Sequence, residues 1–507
     1  MSASPDAPGS PPPAEQRFSS RWLLLLSVLG IAVGTGNIWR FPRIAAANAG
    51  DGGAGAFLVA WIVFLLVWSI PLIIAEYALG QTGRGGVVAT FSRLTNGRFA
   101  WMGAFVAFVA AAIMCYYSVV AGWCVYYFGA ALLTGLPSSV EAAQASWTGF
   151  QSSPWPLAFH ALAMGLGALA CLRGVRSIER VNRVLVPALL AIVVLAVARA
   201  LTLPGAGAGL AFLFAPDWGT LAEPAVWLEA LTQNAWDTGA GWGLILTYAA
   251  YMRREDGVVR NAVLTGVGNN VVSLLAATMV FGIVFAVLGG QMAQADILDV
   301  MRQSGERGTG LTFIWMPQLF AQMPLGSTLA VLFFLGLSFA ALSSLISMIE
   351  LSTRVLVDFG VQRGAAVAAV AVGGFAFGVP SARSEAFFGN QDFVWGVALM
   401  LSGAFVAFVA WRYGTGRLRT GVATPEDWRL PRAWDVAMKA LVPAQAIVLL
   451  AWWLYLATTA DFTAAWYDPT EPYSAMTCLV QWSAALVAFV LLNRWMARRA
   501  GTPLALS

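Results

Sequence analysis

The sequence predicts an all-α polytopic membrane protein of about twelve spans, because apolar runs of roughly 20 residues, enough to cross ~30 Å of hydrocarbon as helix, recur from end to end. Only 11% of its 507 residues are charged, and its mean hydropathy is +0.73. A soluble fold of this length cannot hide so much apolar surface, so lipid must cover part of it. A β-barrel would instead show short alternating segments, and the sequence has none.

The expected spans are Trp22–Ala47, Ala56–Gly80, Phe99–Leu132, Trp155–Leu172, Val184–Leu203, Val226–Met252, Asn261–Leu288, Leu325–Leu356, Ala365–Val379, Gly389–Trp411, Trp434–Thr459 and Tyr473–Met496. Ahead of them, Met1–Gln16 is rich in Pro, Ser and Ala and lacks a basic region followed by a short apolar one. It reads as a disordered cytoplasmic tail, not a signal peptide. The segment from Asp296 to Gln322 is too polar to cross and too apolar to dangle, and reads as a folded lid over an outer vestibule.

Basic residues occupy alternate loops: Arg17 and Arg21 before the first span, Arg84, Arg93 and Arg98 after the second, and Arg173, Arg176, Arg180 and Arg183 after the fourth. Arg253, Arg254 and Arg260 follow the sixth, Arg354 and Arg363 the eighth, and Arg417, Arg419, Arg429 and Arg432 the tenth. Arg494, Arg498 and Arg499 close the chain. This alternation is the positive-inside pattern and places both termini in the cytoplasm, with the chain in the cytoplasmic (inner) membrane. It also accounts for a pI near 9.0 without a nucleic-acid partner; the expected partners are the lipid bilayer and a small-molecule substrate.

Cys115, Cys124, Cys171 and Cys478 lie in apolar runs without metal-ligand spacing, as buried free thiols do. His160 is the single histidine, so no Ser–His–acid set or metal cluster is available and an enzyme is not expected. No organic cofactor is expected either.

The first and sixth spans are the informative pair. GIAVGTGNIWRFP, Gly30 to Pro42, and NAWDTGAGWG, Asn234 to Gly243, both interrupt an apolar helix with clustered glycines beside polar side chains. Five spans separate their starts, an odd number, so the second group enters the membrane from the opposite side. Discontinuous helices at matching places in inverted halves point to a transporter's binding site. The organisation expected is a tail at 1–16, a first inverted repeat at 17–203, a second at 204–412, and two further spans with a cytoplasmic tail at 413–507.

Unwinding a helix at membrane depth exposes carbonyl and N–H groups that lipid cannot satisfy, so an ion, a substrate or protein must meet them. Asn37 offers a neutral oxygen beside the first break, and Ser343 and Ser344 offer adjacent hydroxyls in FAALSS of the eighth span. Asp237 is the sharpest residue. An Asp at a helix centre costs about 2.5–3.5 kcal/mol, and a cation ~4 Å away contributes about 4 kcal/mol at an effective dielectric of 20. The acid is therefore tolerable only with a partner, and is a functional residue by default.

With these motifs in view, the chain resembles the neurotransmitter:sodium symporters, most specifically in GTGNIWRFP, over about Phe18 to Phe393 and more loosely beyond. The resemblance implies two Na⁺ sites. The first takes the carbonyl of Ala32 with Asn37, Asp237 and Asn269; the second takes carbonyls of Gly30, Val33 and Ala340 with the hydroxyls of Ser343 and Ser344. Substrate is implied to lie against Ala32, Thr35, Gly36, Ile113, Tyr117, Trp236, Asp237, Gly239, Trp242, Ser344 and Met348, with the Tyr117 hydroxyl on its carboxylate. Arg40 and Asp392 resemble the outer charged gate, with Trp236 as aromatic lid. Asp358 and Tyr251 match the inner gate, whose arginine is Arg17 or Arg21, because Phe18 and Glu15 stand where relatives have tryptophan and arginine. Glu76 matches an acid that braces the unwound sixth span, and Glu350 matches an acidic position of some relatives.

Two departures bear on mechanism. Relatives that need chloride hold it with a tyrosine and with Gln, Ser, Asn and Ser near the first sodium. Here the tyrosine position is Trp61 and the shared hydroxyl position is Asp237, while Gln233, Asn269 and Ser273 remain. The fixed carboxylate replaces chloride's charge on this reading, and chloride is not required. Gly34 stands where monoamine carriers have an Asp, which leaves room for an amino acid's own carboxylate. The expected function is sodium-coupled symport of a neutral amino acid by alternating access. A proton-driven carrier of the same fold and a non-transporting amino-acid sensor are the alternatives. The only lysine, Lys439, lies outside the conserved bundle, which disfavours the proton-driven relatives that use a lysine at the second sodium site.

Overall fold

The computed structural model describes residues 17–302, 310–459 and 465–501, and among them there is helix but no strand beyond two isolated bridges. The expected tail at 1–16 lies outside the described residues, as do 303–309 of the expected lid. Nine helices among the described residues are long and apolar enough to cross a bilayer. Two bent pairs also qualify when joined: Arg21–Ala32 with Gly36–Ala47, at 51°, and Val140–Gln151 with Trp155–Cys171, at 71°. The sixth span, built from Pro224–Asp237 and Leu244–Ala249, completes the expected set.

Several helices run past the apolar runs that announce them. The fifth begins at Val175 instead of Val184 and ends at Leu201, and the ninth covers Arg363–Arg383 instead of Ala365–Val379. The added turns of the fifth, VRSIERVNR, are polar in sequence but bury Ile178, Glu179 and Asn182. Helix continues there because tertiary packing, not lipid, receives its face.

Spans five apart in the chain pack against each other. The second, Gly55–Gly83, meets the seventh, Val258–Leu288; the third, Ala100–Leu133, meets the eighth, Gly326–Asp358; and Trp155–Cys171 meets Arg363–Arg383. In the first and sixth spans the pairing is crossed: Arg21–Ala32 lies against Leu244–Ala249, while Pro224–Asp237 lies against Gly36–Arg40 and Phe41–Ala47. Their chains therefore run in opposite directions, as two inverted halves require.

Each break has a local cause. In the first span the helix ends at Ala32, the Gly34 N–H turns to Asn37 Oδ1 at 2.8 Å, and helix resumes as a π-turn over Gly36–Arg40. In the sixth span Gly239, Gly241 and Gly243 take φ of +70°, +88° and +77°, a region that glycine enters without a Cβ penalty. A side chain at Gly241 would also meet the Gly403 Cα at 2.7 Å. Buried Glu76 holds the far end, accepting from the N–H groups of Gly241, Gly243 and Leu246 at 2.6, 3.3 and 3.0 Å.

The described part of the lid is helical, Gln294–Arg302 and Leu311–Ala321. Gln294–Arg302 packs on Phe41–Ala47, and Arg302 donates to the carbonyls of Ala46 and Ala49 at 3.0 and 3.2 Å. The outer half of the first span is thereby tied to the lid.

Candidate functional site

The two breaks and the middles of the third and eighth spans enclose a cavity of about 110 Å³. Of the residues expected against substrate, Ile113 alone is absent from its wall; it is fully buried one turn from Tyr117. Trp39, Arg43, Tyr116, Val120 and Leu244 are on the wall without having been expected. Spacing offered a signal for two of them: Val120 follows Tyr117 by three on one helix, and Arg43 follows Arg40 by three.

Tyr117 anchors one side. Its hydroxyl accepts from the Thr35 N–H at 3.2 Å and from Thr35 Oγ1 at 3.3 Å. The same hydroxyl is on the cavity wall, within reach of a ligand there. Trp242 stands across from it, held by a bond from Nε1 to the Ala235 carbonyl at 2.9 Å and by an edge contact with Trp236 at 5.3 Å.

Beneath the cavity the side chains converge with oxygen. Asn269 Oδ1 accepts from Asn37 Nδ2 at 2.7 Å. The same atom lies 2.9 Å from the carbonyl oxygens of both Ala32 and Asp237. Turning the amide over would pair those two carbonyls but set one NH₂ against that of Asn37. The amides of Asn37 and Asn269 and the carbonyls of Ala32 and Asp237 thus meet at one place beside the first break. The Asp237 carboxylate is backed by Ser273 Oγ at 3.1 Å and Gln233 Nε2 at 3.4 Å, both on Oδ2, and its Oδ1 is buried without a partner among the described residues.

A second oxygen group joins the first span to the eighth. Ser344 Oγ is 3.3 Å from the Gly30 carbonyl and 3.2 Å from that of Ile31, and Ser343 Oγ is 3.0 Å from the Ala340 carbonyl. Val33, expected in this set, is buried at the break beside them.

The two ends of the path differ. On the outer side Arg40 and Asp392 line both the central cavity and a vestibule of about 380 Å³, with Trp236 between the two. The expected ion pair of Arg40 with Asp392 is not made. The Arg40 guanidinium lies over the Trp236 ring instead, 5.0 Å from its centroid, where the ring quadrupole attracts it. On the inner side contacts are closed. Ser19 donates to Glu179 from its N–H at 3.0 Å and its hydroxyl at 2.6 Å, and the Phe18 N–H reaches the Tyr251 carbonyl at 3.4 Å.

Asp358 is engaged from its own helix, by Arg354 at 2.9 Å, and by the Gly86 N–H at 2.6 Å. The inner-gate arginine expected from sequence was Arg17 or Arg21. Arg21 instead carries a buried Nη2 with no hydrogen-bond partner among the described residues. Tyr251 donates to Glu350 at 2.8 Å, and Glu350 is ion-paired with Arg363. Neither ion pair was legible from the sequence, because a guanidinium near a span's end is also what membrane orientation calls for.

Crossed, broken helices around a polar cavity, with closed contacts at one end and a vestibule at the other, define a secondary transporter. The profile of the sodium:neurotransmitter symporter family matches residues 15–153 and 144–500. The chain belongs to that family, and is a sodium-dependent transporter of it. A sodium-dependent transporter of Methanocaldococcus jannaschii, itself uncharacterised, is 32% identical over 70% of this chain and 72% of its own length. The sodium- and chloride-dependent taurine transporter of Homo sapiens is 28% identical over 94% of this chain and 83% of its length. The crystal structure of MhsT in complex with L-phenylalanine superposes with a TM-score of 0.74 at 28% identity, covering 86% of this chain and 99% of that one.

Proposed function

We propose that the chain carries a neutral amino acid together with Na⁺ by alternating access, and that it does so without chloride. The observation that carries the amino acid is the Tyr117 hydroxyl, which is held beside the unwound first span by Thr35 and lies on the cavity wall, where it can donate to a carboxylate. Gly34 supports the same choice. A Cβ there would stand 3.0 Å from Ser344 Oγ and 3.1 Å from the Tyr117 hydroxyl, so a larger side chain would crowd the two hydroxyls that a carboxylate would meet. The L-phenylalanine bound by MhsT is a precedent within the family.

Sodium is assigned to two places: among Ala32, Asn37, Asp237 and Asn269, and among Gly30, Val33, Ala340, Ser343 and Ser344. Each joins an unwound segment to a neighbouring span, so ion binding orders the segments that meet the substrate, and reciprocally substrate raises ion affinity. Chloride independence is supported by where the donors point. Gln233 and Ser273 both donate to the Asp237 carboxylate, a fixed negative charge where an anion would otherwise sit. Trp61, at the tyrosine position, packs its ring on Phe41 with centroids 4.4 Å apart. Residues 17–203 and 204–412 act as two repeats, both termini face the cytoplasm, and the bundle around spans one and six rocks against the rest.

Uptake of labelled neutral amino acids into proteoliposomes under a Na⁺ gradient tests the proposal. Accumulation that survives exchange of chloride for gluconate supports it; collapse at constant Na⁺ refutes the chloride reading, and tight binding of amines with no amino acid bound refutes the substrate class. A proton-driven cycle has one observation in its favour, the unpartnered Oδ1 of Asp237. Accumulation under a pH gradient in Na⁺-free medium would select it.

A further inference from the structure

A second polar chamber, of about 460 Å³, opens at the inner end, with Arg173, Arg176, Arg354, Arg363, Tyr251 and the Gly174 turn on its wall. Two of its guanidinia are engaged. Arg363 is paired with Glu350 and donates to the Cys171 carbonyl, and Arg354 is paired with Asp358. Arg173 and Arg176 make no hydrogen bond or ion pair among the described residues, and both are exposed. Four guanidinia thus answer to two carboxylates, and the positive charge of the other two is unbalanced around one concave space.

The backbone adds to that charge. Helices Val175–Leu201 and Arg363–Arg383 both begin on this wall, and neither has a side-chain cap or an acid in its first turn. Uncapped N–H groups and the positive end of the helix dipole favour an anion. A planar guanidinium matches phosphate with two parallel donors, which a lysine does not.

We propose that this chamber binds a phosphate-bearing anion at the cytoplasmic surface, presented by an anionic lipid headgroup or by a soluble phosphate. Its wall joins the loop between the fourth and fifth spans, the end of the eighth, the start of the ninth, and Tyr251 of the inner closure. An anion bridging them stabilises the arrangement in which the inner side is shut, and release favours its opening. The proposal stands apart from the identity of the transported substrate.

Full-length protein in neutral detergent, at fixed Na⁺, is titrated with potassium pyrophosphate or with phosphatidylglycerol against phosphatidylcholine, following the thermal midpoint by tryptophan fluorescence. A saturable rise is expected. Arg173→Gln with Arg176→Gln removes two exposed side chains and leaves the paired arginines in place. The concentration needed should rise at least about tenfold, the effect of losing a charge-assisted hydrogen bond. Arg429→Gln, a charge removed at another exposed basic loop, should leave it unchanged. A response to pyrophosphate alone assigns a soluble anion, and a response to phosphatidylglycerol alone assigns a headgroup. No response to either, an equal response in the double variant, or equal weakening by Arg429→Gln overturns the site.

Discussion

Replacing Glu76 tests whether the sixth span's break is built or merely tolerated. The carboxylate is fully buried and receives three backbone N–H groups, from Gly241, Gly243 and Leu246. Glu76→Ala leaves all three in a dry interior, and each stranded donor costs about 1–3 kcal/mol, or roughly 3–9 kcal/mol together. Set against a net stability of about 5–15 kcal/mol for a folded protein, that loss approaches the whole. Glu76→Gln keeps the volume and one acceptor but turns an NH₂ toward one donor, so the cost falls to about 1–3 kcal/mol. The assay is thermal unfolding in detergent with saturating Na⁺, paired with Na⁺-dependent ligand binding. The expected order of midpoints is wild type, Glu76→Gln, Glu76→Ala, with Na⁺-dependent ligand binding weakened in the same order. Wild-type midpoints and wild-type Na⁺ dependence in both variants would refute the reasoning, since the unwound turn would then stand without its brace.

Further outcomes are expected elsewhere in the site. Asp237→Ser removes the charge that Gln233 and Ser273 now support, so uptake should fall by at least about tenfold and be partly restored by chloride but not gluconate in flux measurements. Ser344→Ala deletes a hydroxyl beside the Gly30 and Ile31 carbonyls. The Na⁺ half-saturation for uptake should rise about tenfold while unfolding temperature in Na⁺-free buffer changes little. Gly34→Asp drives a side chain into Tyr117 and Ser344, and calorimetry should find amino acid binding lost. Glu179→Gln weakens the two bonds that hold Ser19, and a cysteine placed on the inner face of the first span should label faster.

The pair of broken helices was legible because two glycine clusters stand at matching places in the first and sixth spans beside polar side chains, where helix packing alone needs no such match, and because lipid punishes unsatisfied backbone. Asp237 was legible for the same reason. Helix ends were not: the polar first turns of Val175–Leu201 look like loop until the packing that buries Glu179 and Asn182 is known. Helix Val140–Gln151 was missed for a related reason. It is amphipathic rather than apolar, capped by Ser139 and burying only Ala143, Trp147 and Phe150. Charge partners were the least legible. Asp358 is served by Arg354 on its own helix, and Glu350 by Arg363 thirteen residues on. Sequence shows where guanidinia are dense, but not which one reaches which acid.

The crossed contact between the first and sixth spans has a consequence for leakage. Since the outer halves of the two rest together and so do their inner halves, the pair would move as one body, and in the rocking proposed above a tilt that opens one mouth shuts the other. Under that proposal solute would pass in parcels, and the sodium gradient would not be short-circuited through an open pipe.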